Sequence, residues 1–222
     1  MRQLLAGLMA CTGLTASWAQ EPYPPSVFED AYIEHMTFSG PKPKMSDFVT
    51  HFFESDAMPE IWGLAQDAWT HYLHNEPQEK GSYLVYDERN GYMRYDLNAR
   101  EMWGEDIEQD ERVFIEMCIW NCADGRHILF ACNCESLTNG KYQSIQYEGI
   151  MFQLYDKKTH DMYSVGHQDV GAELPDEMYG EHTVQVYLLP QGGKDITLLV
   201  QREAGTETKM LRWDGMRFHL GD

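Results

Sequence analysis

Nine histidines, five cysteines and 36 acidic residues are the side chains of this chain that could hold a metal, attack a carbonyl or move a proton. His71 and His74 stand three apart in an apolar-periodic segment and could share a helix face with Asp67 or Glu76, as a metal site requires. The H-E-x-x-H pattern is absent, and two histidines near a helix C-terminus equally suit the helix dipole. His160, His167 and His182 lie near Asp161, Asp169 and Glu181, a proximity common in loops without catalysis. No G-x-S-x-G elbow frames Ser136, Ser144 or Ser164, and Gln191-Gly192-Gly193-Lys194 reads as a hairpin tip rather than a phosphate loop. Carboxylate pairs for glycoside hydrolysis are numerous in sequence, but sequence spacing does not give their separation in space. No cofactor and no metal are expected.

The densest charge runs through Glu105-Asp106-Ile107-Glu108-Gln109-Asp110-Glu111. It lacks the D-x-D-x-D-G spacing of a calcium loop, so a solvated loop is the simpler reading. Trp62, Trp120 and Trp213 are expected in the core, whereas Trp103 at the head of the acidic run is expected to be exposed. Trp103, Glu105, Asp106, Asp110 and Glu111 are therefore the expected binding patch: a ring that can bury on contact, beside negative charge.

Beyond the N-terminal region the cysteines are Cys118, Cys122, Cys132 and Cys134. A two-residue turn at Asp124-Gly125 sets Cys118 opposite Ala131 and Met117 opposite Cys132, placing Cys118 and Cys122 on one face and Cys132 and Cys134 on the other. The alternation of Val113, Ile115, Met117 and Ile119 with Ile128 and Phe130 supports this register. A three-residue turn would instead bring Cys118 across from Cys132, close enough to bond. Disulfide and free thiols both remain open, and the C-x3-C and C-x-C spacings are not those of a tetrathiolate metal site.

These residues need elements to position them. Residues 20–44 hold five prolines and read as an extended leader that packs Phe28, Tyr32 and Ile33 onto the body. Ser46 is the expected N-cap of a helix carrying Phe48, Val49, Phe52 and Phe53. A second helix carries Ile61, Leu64, Ala65, Ala68, Trp69 and Tyr72 from Pro59 to Asn75-Glu76-Pro77. From Gly81 the pattern turns to strands: Ser82–Tyr86 and Tyr92–Leu97 about Asn90-Gly91, then Val113–Trp120 and His127–Cys132. Further strands are expected at Gln143–Tyr155, Asp161–Val165, Thr183–Leu189, Ile196–Arg202 and Lys209–Trp213, with Phe218 in a last short one. Gly166–Gly180 reads as a polar loop and Ala204-Gly205-Thr206 as a turn. The expected architecture is α+β: two N-terminal helices on one curved, mainly antiparallel β-meander sheet, with partial barrel closure left open.

The formal net charge of −19 argues against nucleic acid, since phosphate binding needs a cationic footprint. Basic proteins and glycans remain as partners; oligomeric state is not readable. At the N-terminus, Arg2, the apolar run Leu4–Leu14 and the Ser17/Ala19 pair read as a signal peptide cut before Gln20. Leu8-Met9-Ala10-Cys11 offers a lipid anchor through Cys11 as the alternative. The run is shorter than the roughly 20 apolar residues of a spanning helix, so no integral membrane span is expected.

Tyr86-Asp87-Glu88-Arg89-Asn90-Gly91-Tyr92 and the terminal Trp213-Asp214-Gly215-Met216-Arg217-Phe218 hairpin, together with the short signal, resemble the uncharacterised exported proteins of Bacteroidetes-type bacteria. The resemblance implies an envelope location and no activity. The organisation expected is a signal at 1–19, a Pro-rich leader at 20–44 and one domain at 45–222. The function expected is an exported, non-enzymatic binding protein of the periplasm or cell surface. A hydrolase of envelope polymers and a calcium-dependent envelope component are the alternatives.

Overall fold

The computed structural model describes residues 23–29, 31–55, 62–104, 110–143, 149–180 and 182–221. Its described residues form two antiparallel sheets rather than one. The larger sheet takes the strands in the order β1 (Ile33–His35), β8 (Asp161–Val165), β7 (Met151–Asp156), β5 (His127–Thr138), β4 (Glu111–Asn121), β3 (Tyr92–Asn98) and β2 (Ser82–Asp87); β6 (Lys141–Gln143) pairs with β5 off this path. The smaller sheet runs β12 (Phe218–Gly221), β11 (Gly205–Trp213), β10 (Ile196–Arg202) and β9 (Val184–Leu188). The expected meander is present from β2 to β8. Both sheets have free edges, so neither closes into a barrel.

Alternation along the strands builds two cores. Met93, Tyr95, Ile115, Met117, Phe130 and Cys132 face helices α2 (Met45–Glu54) and α3 (Gly63–Leu73). Their neighbours Tyr92, Cys118, Trp120, Leu129, Ala131 and Leu154 face the smaller sheet, meeting Leu189, Ile196, Leu198 and Trp213. The large sheet is thus the middle of three layers. Phe48 of α2 stacks on Phe130 at 5.9 Å and meets Tyr155 edge-on at 5.5 Å. Truncating such a buried ring to alanine costs about 3–5 kcal/mol.

The β4–β5 register is the one the alternation favours: Met117 pairs with Cys132 and Cys118 with Ala131. Asp124 Oδ1 accepts the N–H groups of Arg126 and His127 at 2.9 and 3.0 Å, and Gly125 takes φ 71°, which fixes the turn. All four described cysteines are buried, two in each core, and none is disulfide-bonded to another.

Several expectations need correcting. The N-cap of α2 is Lys44, not Ser46, because the Asp47 carboxylate reaches back to accept the Lys44 N–H at 2.7 Å. The leader is not simply extended: it forms α1 (Ser26–Glu29) and the edge strand β1. Phe28 packs, lying 4.9 Å from the Tyr163 ring, but Tyr32 and Ile33 are 54% and 52% exposed. The buried anchors there are Tyr23 and Val27. The stretch 166–180 is no mere polar loop, since Val170, Ala172, Leu174 and Met178 sit in the core between the sheets. In the β10–β11 hairpin Gly205 belongs to the strand, pairing with Arg202. Of the expected strand from Gln143 to Tyr155, only Gln143 at the end of β6 and Met151 to Tyr155 in β7 are strand; Gly149 and Ile150 are not, and 144–148 lie outside the described residues.

Candidate cationic cleft

The β2–β3, β4–β5 and β7–β8 turns lie at one end of the large sheet, and the segment from Phe38 to Met45 crosses there before entering α2. Between them is a cleft of about 550 Å³. Lys42 and Lys44 line it from the crossing segment, Arg89 from the β2–β3 turn, and Lys157 and His160 from the β7–β8 turn. One acid, Glu88, lines it, and its Oε2 accepts the Tyr86 hydroxyl. Among the described residues none of the four cations has a carboxylate within ion-pair distance; the Lys157 ammonium donates to the Gly125 carbonyl at 3.1 Å.

Local sequence explains the presentation. Pro41 and Pro43 each fix φ near −65° and flank Lys42, so the lysine-bearing backbone is ordered before a ligand arrives. In the β2–β3 turn, Asp87 accepts the Asn90 backbone and side-chain N–H groups at 3.1 and 2.7 Å. Those bonds hold the Asp87 carboxyl below its usual range. Gly91, not Asn90, supplies the left-handed residue, at φ 65°. A Cβ there would sit 2.5 Å from Ile119 Cγ1. The floor is apolar, with Ile119, Ile128 and Tyr155. Tyr155 is fully buried and its hydroxyl has no hydrogen-bond partner among the described residues. Burial pushes its pKa up, so it stays a neutral donor.

The groups singled out in the sequence are dispersed. Glu105 and Asp106 lie outside the described residues. The backbone of Trp103 ends α4 (Ala99–Trp103), a helix not expected in the acidic run; its side chain is outside the description. Asp110 and Glu111 are exposed at the start of β4; the Asp110 N–H donates to Asn139 Oδ1 at 3.2 Å, and Glu111 pairs with Thr138. His71 lies 3.8 Å from Glu76, while His74 bonds the Thr70 carbonyl at the end of α3, so the two do not converge. His167 bonds the Ile150 carbonyl, and His160 alone of the three paired with acids in sequence lines the cleft. Trp62, Trp120 and Trp213 are core residues. Among the described residues no three His, Cys, Asp or Glu side chains group as metal ligands.

The remaining reactive groups are held by structure. Burial pushes the thiols of Cys118 and Cys122 up to about 12, and that of Cys132 well above its usual value; such thiols are poor nucleophiles. Buried Glu116 accepts the Tyr92 hydroxyl at 2.6 Å and Arg94 at 3.1 Å. Its other oxygen accepts the Leu189 N–H at 2.9 Å. Glu135 accepts the Tyr187 N–H at 3.0 Å, and Asn133 donates to the Tyr187 carbonyl. These side chains supply the partner that edge strand β9 lacks on its outer side.

The cleft was not visible in the sequence because its cations come from three separate segments. The local signal was Lys42 and Lys44 among prolines. Among the described residues no helix is long and apolar enough to cross a membrane. Comparison with protein families, curated proteins and solved structures finds no match to this chain.

Proposed function

We propose that this is an exported, non-enzymatic binding protein whose ligand is anionic and occupies the cleft between the Phe38–Met45 segment and the turn end of the large sheet. One observation carries the reading. In a chain of net charge −19, Lys42, Lys44, Arg89 and Lys157 surround one cleft, and none is neutralised by a described carboxylate. Cations without a described carboxylate partner in so acidic a protein make a local positive field that focuses anions. The cleft's volume falls in the range of small-ligand sites, and its apolar floor lies under a lining more polar and charged than such sites usually have, as an anionic ligand requires. Export rests on Arg2, Leu4–Leu14 and Ser17/Ala19.

Calorimetric titration with citrate, pyrophosphate and trigalacturonate tests the reading. At least one should bind, and more weakly as salt rises from about 0.01 M to about 0.1 M, which shortens the Debye length from about 30 Å to about 10 Å. The double variant Arg89→Gln/Lys157→Gln should bind at least several-fold less. No binding of any of the three, or binding indifferent to salt and to that variant, contradicts it.

A further inference from the structure

An aromatic ledge adjoins the cationic cleft. Tyr72, on the last turn of α3, is 42% exposed. Its ring lies 5.3 Å from Tyr86 and stacks on Trp69 at 5.3 Å, with Trp69 buried behind it. Tyr86 joins the two features: its hydroxyl donates to Glu88, which lines the cleft, and it contacts Ser46 in the first turn of α2 beside the cleft residues Lys44 and Met45. The ledge is therefore continuous with the side of the cleft that carries Arg89. Within the cleft, Asn121 adds an exposed amide and Phe38 a half-buried ring 5.1 Å from His160.

This combination is selective. Its cations are side chains on three separate segments, not the run of successive backbone N–H groups that cradles a single phosphate. They suit several negative groups spread along a ligand, with Arg89 able to hold a carboxylate in two-point contact. The exposed Tyr72 ring, beside the half-buried Tyr86, offers an apolar surface with a polar tip. Cations, amide and ring faces together complement a molecule that repeats carboxylates, hydroxyls and C–H faces. We propose that the cleft and the Tyr72–Tyr86 ledge together take one extended acidic oligosaccharide, with sugar carboxylates on Lys42, Lys44, Arg89 and Lys157 and a sugar ring stacked on Tyr72. The assignment rests on the anionic-ligand reading of the same cleft.

Chain length is the discriminating variable. Galacturonate oligomers from the dimer to the hexamer are titrated by calorimetry, beside maltohexaose as a neutral control and hexaglutamate as an acidic peptide. Hexagalacturonate should bind at least about tenfold tighter than the dimer, and maltohexaose should not bind. Tyr72→Ala should weaken the hexamer about fivefold, as expected for the loss of one ring stack, and leave the dimer unchanged. Tyr72→Trp should retain hexamer binding, and Arg89→Gln should weaken both lengths. The ring is half exposed, and an unchanged circular dichroism spectrum shows that the Tyr72 variants fold. A hexamer no tighter than the dimer, a Tyr72→Ala protein that binds the hexamer normally, or hexaglutamate binding as tightly as hexagalacturonate overturns the oligosaccharide assignment while the anion site stands. Failure of every anion to bind overturns the anion site itself.

Discussion

The backbone N–H of Leu189, immediately after β9, donates to Glu116 Oε2 of the large sheet at 2.9 Å, and both residues are buried. The bond joins the two sheets through a side chain acting as a strand partner. Replacing Glu116 with leucine strands the Leu189 N–H and the Tyr92 hydroxyl, each a desolvated group without a partner. We expect a loss of about 2–4 kcal/mol in urea unfolding, with Glu116→Gln losing less because it keeps an acceptor. A Glu116→Leu protein as stable as the parent would contradict this role.

Gly91 makes a steric prediction. At φ 65° an L side chain is strained, and a Cβ would press on Ile119 Cγ1 at 2.5 Å. Gly91→Ala should cost about 1–3 kcal/mol, seen as a lower unfolding midpoint. Because Gly91 and Ile119 both line the cleft, anion affinity should fall as well. Gly192→Ala, in a turn with open space about the glycine, is the control and should change neither.

Acid should destabilise the protein through defined carboxylates. Burial alone would raise Asp156, but hydrogen bonds from Arg126 and the Lys158 N–H hold it below its usual range. The N–H groups of Arg217 and Met216 and the His219 ring likewise outweigh burial at Asp214. A carboxyl depressed in the folded state adds stability that is present above its unfolded pKa of about 3.9 and lost as pH falls through the folded value. His51 adds to the same limb at higher pH: burial, opposed by Glu34, lowers its pKa, so below about 6.5 the unfolded chain takes the proton first. Melting temperature should therefore decline gently below about pH 6.5 and steeply below about pH 4. Asp156→Asn should be less stable at neutral pH and show a shallower acid limb. An Asp156→Asn profile parallel to the parent would contradict the assignment.

The thiols should be inert in the native state. With burial raising Cys118, Cys122 and Cys132, peptides carrying these residues should become alkylated only on unfolding, without prior reduction. A Cys118–Cys132 bridge found by mass mapping would contradict the β4–β5 register, which sets the two on opposite faces.

How far the sequence could be read depended on the range of the forces involved. Ile196–Arg202 was legible residue for residue, and so was the β4–β5 register, because alternation and an Asp-Gly turn are local signals. β1 was not. Ile33 is half exposed, and the strand exists only because its backbone pairs with β8, far along the chain. The division into two sheets was hidden for a similar reason. Val170, Ala172 and Leu174 anchor the crossing between them without any periodic pattern. The dense acids at 105–111 drew attention to themselves by local composition, whereas the cleft gathers its cations by folding alone.

The central claim is that the anion site lies at the turn end of the large sheet, and chemical-shift mapping of backbone amides tests it most directly. On titration with trigalacturonate, the largest shifts should fall at Lys42, Lys44, Arg89, Asn90 and Lys157, while Tyr83 and Val85 on edge strand β2 stay unmoved. Shifts centred on Trp103, Asp110 and Glu111, or spread evenly over the surface, would contradict it.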